Sequence, residues 1–78
     1  MDSLRIIIIK QKIGFAIKQK RLIKFDYVDK ELAVTRSRTV EPTEITDKKL
    51  YGKDVEKGYR QFDLDGIQEL KILEDKNE

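Results

Sequence analysis

The side chains with the most chemical capacity in this sequence are arginines and tyrosines set among apolar residues. They are Tyr27, Arg36, Arg38, Tyr51, Tyr59 and Arg60. A guanidinium can bind phosphate or carboxylate through two parallel hydrogen bonds, and an aromatic ring can stack on a nucleobase. On one surface, such a set could hold a nucleotide or a nucleic-acid strand. The alternative is that Tyr27 borders the core and the arginines pair with the chain's own carboxylates, and composition by itself favours this alternative.

The groups that most often catalyse reactions are missing. The 78 residues include no Cys and no His, which excludes a thiol nucleophile, an imidazole base and the usual transition-metal ligands. The four glycines are scattered and form no phosphate-binding loop. Asp63 and Asp65 alternate with Phe62 and Leu64, which is typical of the solvated face of a strand. We therefore predict no enzyme activity, no metal site and no cofactor.

The charged residues are distributed unevenly along the chain. Residues 1–24 hold seven Lys or Arg and one acid, whereas residues 25–78 hold ten Lys or Arg and fourteen acids. The basic end could face an anion, although a solvated lysine face of a helix is the simpler interpretation. The longest apolar run, Ile6–Ile9, is too short to cross a bilayer, and its flanks do not form a signal peptide. Because Cys is also absent, we expect a cytoplasmic protein.

A helix is predicted near the start of the chain, within residues 2–21. Its core-facing stripe at helical spacing consists of Ile6, Ile9, Ile13, Ala16 and Ile17. We predict helix for residues 10–20, but four consecutive Ile leave residues 4–9 open between helix and strand. If residues 4–9 are helical, Leu4, Ile8 and Phe15 form a second apolar face that needs a partner, either a second copy or a larger regulator.

Five short strands are predicted to follow, within a single domain spanning residues 1–78. The predicted segments are residues 22–28, 33–41, 44–46 with 49–53, 59–64 and 67–73. Pro42 should end the second strand or place it at an edge. Residues 44–53 could be two short strands or one bent hairpin, and residues 74–78 should fray. A chain this small closes most economically as a barrel, with the helix over one opening.

The faces on which the arginines lie are harder to predict. Alternation places Arg60 on the same face as Phe62 and Leu64, where a guanidinium requires a carboxylate, a carbonyl or a ligand. In the second strand, Arg36 and Arg38 share a face with two valines, while Thr and Ser occupy the other face. Either face could be the buried one, because a bulge would reverse the parity.

The order of residues resembles that of the WYL domain, a ligand-sensing module of bacterial and phage regulators. The residues that carry the resemblance are Ala16-Ile17, Ile23-x-Phe25-x-Tyr27, Arg38-x-Val40-x-Pro42, Leu50-x-Gly52, Arg60-x-Phe62-x-Leu64-Asp65-x-Ile67 and Leu70. They span about residues 14–73. The resemblance implies an N-terminal helix followed by a five-stranded barrel of the Sm/SH3-like type. It also implies a sensor of a nucleotide or of single-stranded nucleic acid, which in the family usually follows a DNA-binding helix-turn-helix.

Carried over by position, the resemblance assigns ligand contacts to Tyr27, Arg38 and Arg60. The sequence departs from the family at Lys48 and Lys49, which replace its Trp and Tyr, and at Gly66, which replaces an Arg. No helix-turn-helix fits ahead of Gly14, so we do not expect this chain to read duplex DNA in the usual way. Lys48, Lys49 or Arg36 could replace the lost cation.

Two functional hypotheses follow. The first is a non-enzymatic WYL-like regulatory module, accessory to transcription or defence regulation, that binds a phosphate-bearing ligand through Tyr27, Arg36, Arg38, Arg60 and Lys49. The second is a protein-interaction or homodimerisation module with no small ligand. Convergence of Tyr27, Arg38 and Arg60 on one open depression would favour the first hypothesis, and carboxylates filling that space would favour a structural network.

Overall fold

The computed structural model describes residues 3–29 and 33–73, and it contains one helix followed by five antiparallel strands. The elements are α1 (Ser3–Gln19), β1 (Ile23–Asp29), β2 (Val34–Ile45), β3 (Lys49–Asp54), β4 (Gly58–Asp63), a 3₁₀ turn (Leu64–Gly66) and β5 (Ile67–Ile72). The predicted class, mainly β with an N-terminal helix, is confirmed. The predicted frayed tail, residues 74–78, lies outside the described residues.

The five strands form one curled sheet in the order β4-β3-β2-β1-β5. In a flat sheet the edge strands β4 and β5 would lie about 19 Å apart, four strand spacings of about 4.8 Å. They are joined by only the three residues of the 3₁₀ turn, and four chain steps reach about 14 Å at most. The sheet must therefore curl. Because the described β4 and β5 share no hydrogen-bond ladder, it remains an open sheet rather than the closed barrel that we predicted.

Helix α1 covers the concave side of the sheet. The isoleucine run is helical, which settles the question left open for residues 4–9. The predicted stripe is confirmed, since Ile9, Ile13 and Ala16 are buried while Ile6 and Ile17 are partly buried against the same core. The strands and the 3₁₀ turn contribute Ile23, Phe25, Val40, Leu50, Phe62, Leu64, Ile67 and Leu70 to the core. No helix within residues 3–29 and 33–73 is long and apolar enough to cross a membrane.

Two polar contacts fix the position of α1. Nη2 of Arg5 donates a hydrogen bond to the carbonyl oxygen of Ile67 at 2.6 Å. Nζ of Lys10 lies 2.9 Å from Oδ1 of Asp47, in the turn between β2 and β3. The first contact ties the start of the helix to β5, and the second ties its middle to the opposite part of the sheet.

Strand β2 is longer than predicted, because it continues through Pro42 to Ile45. The β1 ladder ends where Ile23 pairs with Val40, so from Pro42 onward only β3 pairs with β2. A proline lacks an N–H group, and it is tolerated where a strand has one free side. Residues 44 and 45 therefore belong to β2, and the bent-hairpin interpretation of residues 44–53 is the right one.

Gly52 allows β2 and β3 to approach closely at this point. A Cβ atom on Gly52 would lie 2.6 Å from the carbonyl oxygen of Glu41 and 2.7 Å from Cγ1 of Val40. Any side chain would force the two backbones apart. The ladder shifts register between Pro42 and Glu44, directly beside this contact.

Candidate anion-binding face of the sheet

The strand register places Arg36 and Arg38 on the core side of β2. Arg38 pairs with the buried Phe25, and residues paired in an antiparallel ladder share a face. Val40, two residues further on, is fully buried. The arginines therefore lie on the face of the valines, and the question that alternation left open is answered by pairing. Thr35 and Ser37 are exposed on the other face.

Arg60 lies on the same side of the sheet. Gly52 pairs with Pro42 on one side and with Arg60 on the other, and Pro42 shares the face of Val40. Arg60 does share its face with Phe62, as alternation predicted, but it lies past the edge of the core and is exposed. Since the opposite residue is a glycine, no side chain of β3 stands directly against the guanidinium. Because its side chain is exposed to solvent, Arg60 needs no buried counter-charge.

Arg38 is held beside a buried carboxylate. Its Nη1 lies 3.7 Å from Oδ2 of Asp54, with 17% of the Arg38 side chain and 2% of the Asp54 side chain exposed. Oδ1 of Asp54 accepts hydrogen bonds from the backbone N–H groups of Glu56 at 2.8 Å and Lys57 at 3.2 Å. Among the described residues, neither Oδ2 of Asp54 nor Nε of Arg38 has a hydrogen-bond partner. The pair is thus close but incompletely satisfied.

Asp54 is the residue of this face that sequence reasoning missed. The strands predicted at residues 49–53 and 59–64 leave residues 54–58 for a turn, and an Asp that begins a turn often binds the backbone N–H groups that follow it. That pattern identifies the turn but gives no sign that the carboxylate is buried, because such residues are usually solvated. Burial follows from pairing with Val40, which places Asp54 on the core side of β3.

Tyr27 belongs to the edge of the core. Its ring packs edge-on against Phe25, with centroids 6.3 Å apart, and against Phe62 at 5.1 Å. Its hydroxyl oxygen accepts a hydrogen bond from the backbone N–H of Asp63 at 3.1 Å. A Cβ on Gly66 would lie only 3.0 Å from Cε1 of Tyr27. The glycine found where the family resemblance leads us to expect an Arg therefore makes room for the Tyr27 ring.

Lys49, on β3, forms an ion pair with a carboxylate of the neighbouring strand β4. Its Nζ lies 3.0 Å from Oδ1 of Asp63. The hydrogen bond and the charge of Asp63 raise the pKa of Lys49 above its ordinary value of 10.5. Any contribution of this pair to stability is fully present below pH 10.5 and is lost as the pH rises through the raised pKa. Lys49 is exposed enough to reach a ligand, but it would first have to leave Asp63.

The predicted site residues do not converge on a single depression. Arg38 and Arg60 lie two strands apart and are offset by four residues, a separation of roughly 16 Å measured along the curved sheet. A cleft of about 570 Å³ lies between α1, the turn that joins β2 to β3, and the 3₁₀ turn. Tyr27, Arg38 and Arg60 line neither this cleft nor two further clefts of about 440 and 420 Å³. The described residues also place no three carboxylates together as a metal site.

The arrangement is therefore a cationic face rather than a pocket. Arg36 and Arg60 are exposed near the end of the sheet where β3 finishes, and Arg38 lies between them with its charge opposed by Asp54. Such a face can contact several anionic groups of an extended ligand at once. It offers no enclosure for a small molecule.

Comparison with known proteins supports the fold. No protein-family model matches the sequence, and no curated protein matches it. The structure is similar to that of proteasome accessory factor B/C (PafBC) of Arthrobacter aurescens, with a TM-score of 0.78 and 21% sequence identity. The similarity covers 92% of this chain and 12% of the accessory factor, so the chain spans about an eighth of that protein's length. Because the accessory factor contains WYL domains, the comparison supports a WYL-like fold.

The residues that carry the sequence resemblance are chiefly those of the core. Ile23, Phe25, Val40 and Leu50 are buried, and so are Phe62, Leu64, Ile67 and Leu70. Gly52, which also matches, is required by the close approach of β2 and β3. The shared order of residues thus specifies how the sheet packs, and it says less about the ligand.

Proposed function

We propose that this chain is a non-enzymatic WYL-type regulatory module, accessory to transcription or defence regulation, that binds a phosphate-bearing ligand on its arginine face. The observation that carries the proposal is the common face of Arg36 and Arg60, both of which are exposed; Arg38 lies on the same face, but its charge is opposed by Asp54. Guanidinium groups bind phosphate oxygens in a planar, two-pronged geometry that Lys cannot match.

The spacing favours single-stranded nucleic acid over a mononucleotide. The two exposed arginines, Arg36 and Arg60, lie two strands apart and are offset by six residues along the strands. Guanidinium groups so far apart can contact different phosphates of one strand more readily than a single phosphate group. Tyr27 does not contact the ligand, since its ring packs on Phe62 and its hydroxyl accepts a hydrogen bond from Asp63. Its contribution is to hold the chain at the start of the 3₁₀ turn. Lys49 remains a secondary contact that becomes free only when its ion pair with Asp63 opens.

The test is equilibrium binding of a fluorescently labelled oligothymidylate, measured by anisotropy over a range of salt concentrations. Each phosphate neutralised on a single strand contributes a slope of about −0.7 to the logarithm of affinity against the logarithm of salt concentration. We expect Arg36→Ala and Arg60→Ala each to weaken binding and to reduce the slope by about 0.7, with unchanged circular dichroism spectra. Unlabelled mononucleotide should compete weakly.

The matched control removes a cation from the opposite face of β3. Lys53 is exposed, and it alternates with Gly52 and Asp54, so its side chain points away from the arginines. Lys53→Ala should therefore leave both affinity and slope unchanged. Binding that does not depend on salt, no binding at low salt, or equal losses in Lys53→Ala and Arg60→Ala would each remove the proposal.

A further inference from the structure

Helix α1 has a second apolar face, on the side opposite the core. Leu4 is 70% exposed, Ile8 45% and Phe15 49%, with Ile7 beside them. At about 100° per residue these side chains point away from Ile9, which faces the sheet. Positions 4, 8, 11 and 15 follow the alternating spacing of a helix-pairing seam, with Gln11 as its polar member. Exposed apolar side chains arranged in this way mark an interaction surface.

Gly14 gives independent support for a partner at this face. A glycine inside a helix is unfavourable relative to alanine, so it needs a reason to be there. Residues 3–29 and 33–73 show none, because apart from its chain neighbours and the adjacent helix backbone no atom of these residues lies within 4 Å of the place where its Cβ would be. On the helical wheel Gly14 lies beside Ile7, at the border of the exposed apolar face. A missing side chain at this place lets another backbone approach α1 closely.

The charge of α1 indicates what kind of partner fits. Residues 3–19 contain four basic residues and no acid. Arg5 and Lys10 are used within the fold, by the carbonyl of Ile67 and by Asp47. Lys12 is exposed at the side of the apolar face, and Lys18 is exposed at its C-terminal end. Two copies of α1 would bring like charges together, whereas acidic residues on a partner would complement them.

We infer that the outer face of α1, formed by Leu4, Ile7, Ile8, Phe15 and Gly14, is a docking seam for an amphipathic helix of another protein, whose apolar stripe is bordered by Asp or Glu. The apolar side chains pack between those of the partner helix, Gly14 receives its backbone closely, and Lys12 and Lys18 pair with its acids. This surface is separate from the arginine face of the sheet, and the inference does not depend on ligand binding there.

The experiment uses a displayed library of helical peptides with a fixed apolar seam and with flanking positions that encode Glu, Gln or Lys. Selection on the full chain should enrich Glu at the flanks. The enriched helices should lose about tenfold or more of their affinity for Ile8→Asp. Phe15→Asp gives a second disruption of the seam. Val55 is a comparably exposed apolar residue in the turn between β3 and β4, so Val55→Asp is the matched control and should bind normally.

Gly14→Ala separates docking from folding, because the two should change in opposite directions. Filling an empty position inside a helix should raise the melting temperature by about 4–8 °C. The same methyl group should weaken the selected helices about tenfold, because it occupies the space that the partner backbone needs. A structural role within the chain would predict a lower melting temperature instead.

Several outcomes would overturn the inference. One is a selection that enriches Lys or Gln at the flanks, or that yields no helix sensitive to Ile8→Asp. A concentration-dependent dimer in sedimentation, abolished by Ile8→Asp, would assign the face to a second copy. Binding to phosphatidylglycerol vesicles that is lost in Ile8→Asp, with no helix selected, would assign it to a lipid surface.

Discussion

Removal of the Asp54 carboxylate should destabilise the protein strongly, because this group performs two tasks from a buried position. Oδ1 accepts two backbone hydrogen bonds, and Oδ2 faces Arg38. Hydrogen bonds to a charged group contribute about 1.5–3 kcal/mol each. When the carboxylate is removed, water can hydrogen-bond to the freed N–H groups of the exposed turn and recover part of that energy. We expect Asp54→Ala to lower the free energy of unfolding by about 3–4 kcal/mol, out of a total of about 4–12 kcal/mol for a domain of this size.

A graded series separates the two tasks. Asp54→Asn keeps a carbonyl oxygen for the N–H groups of Glu56 and Lys57 but loses the charge, and it should cost about 1–2 kcal/mol. Arg38→Met keeps most of the side-chain volume and leaves the carboxylate unpaired, at a cost of about 3 kcal/mol. The double variant Arg38→Met with Asp54→Asn should cost less than the sum of the single changes by about 1 kcal/mol.

The assay is equilibrium unfolding in urea, followed by circular dichroism, with the free energies compared in a double-mutant cycle. Lys53→Ala, on the opposite face of β3, provides a baseline for an ordinary surface change. Equal costs for Asp54→Asn and Asp54→Ala would show that the turn hydrogen bonds do not depend on this side chain. A coupling energy near zero would refute the ion pair at 3.7 Å as an energetic contact.

Three further predictions concern single contacts. Gly52→Ala should lower the free energy of unfolding by about 3 kcal/mol in urea titrations, because its Cβ would meet the backbone carbonyl of Glu41. Tyr27→Phe should cost about 1 kcal/mol by the same assay, since it leaves the Asp63 N–H without its acceptor, and oligothymidylate affinity should not change. The pKa of Asp47 is held below its ordinary value of 3.8, chiefly by the hydrogen bond from Lys10. In Lys10→Ala it should rise towards 3.8 in a carboxyl-carbon NMR titration, and a pKa that does not rise would contradict the contact.

The direction of the Asp47 effect on stability follows from the same contact. Because folding lowers the pKa, the ionised carboxylate is favoured in the folded protein. Its contribution is therefore present above pH 3.8 and is lost as the pH falls through the lowered pKa. Lys10→Ala should remove this part of the acid dependence.

Periodic patterns in the sequence predicted the elements that build the core. The period of 3.6 identified Ile9, Ile13 and Ala16 as the buried stripe of α1, and alternation identified the strands around Phe25 and Phe62. The isoleucine run resisted such prediction, because its local preference for a strand opposed its helical spacing. The structure resolves the conflict through packing, since Ile9 gains burial only if the helix begins before it.

Pairing between strands could not be read from the sequence, and it decides most of the candidate site. The second strand has two plausible faces, and only the pairing of Arg38 with Phe25 selects one of them. Likewise, Pro42 indicates a strand with one free side. It does not indicate that the ladder between β1 and β2 ends at the pair Ile23 and Val40, two residues before Pro42. The burial of Asp54 depends on the pairing of Arg38 with Phe25 and on the place where the β1 ladder ends. Neither can be read from the sequence, so a buried carboxylate was not expected at this position.

The strand order has a consequence for the speed of folding. Strands β1 to β4 each pair with the next strand in the chain, so their ladders form by local zippering of hairpins. The remaining ladder joins β1 to β5, where Ile23 and Ile72 meet from about fifty residues apart. Closing so long a loop loses much chain entropy before any contact compensates for it. We therefore expect the arrival of β5 beside β1, rather than hairpin formation, to limit the folding rate.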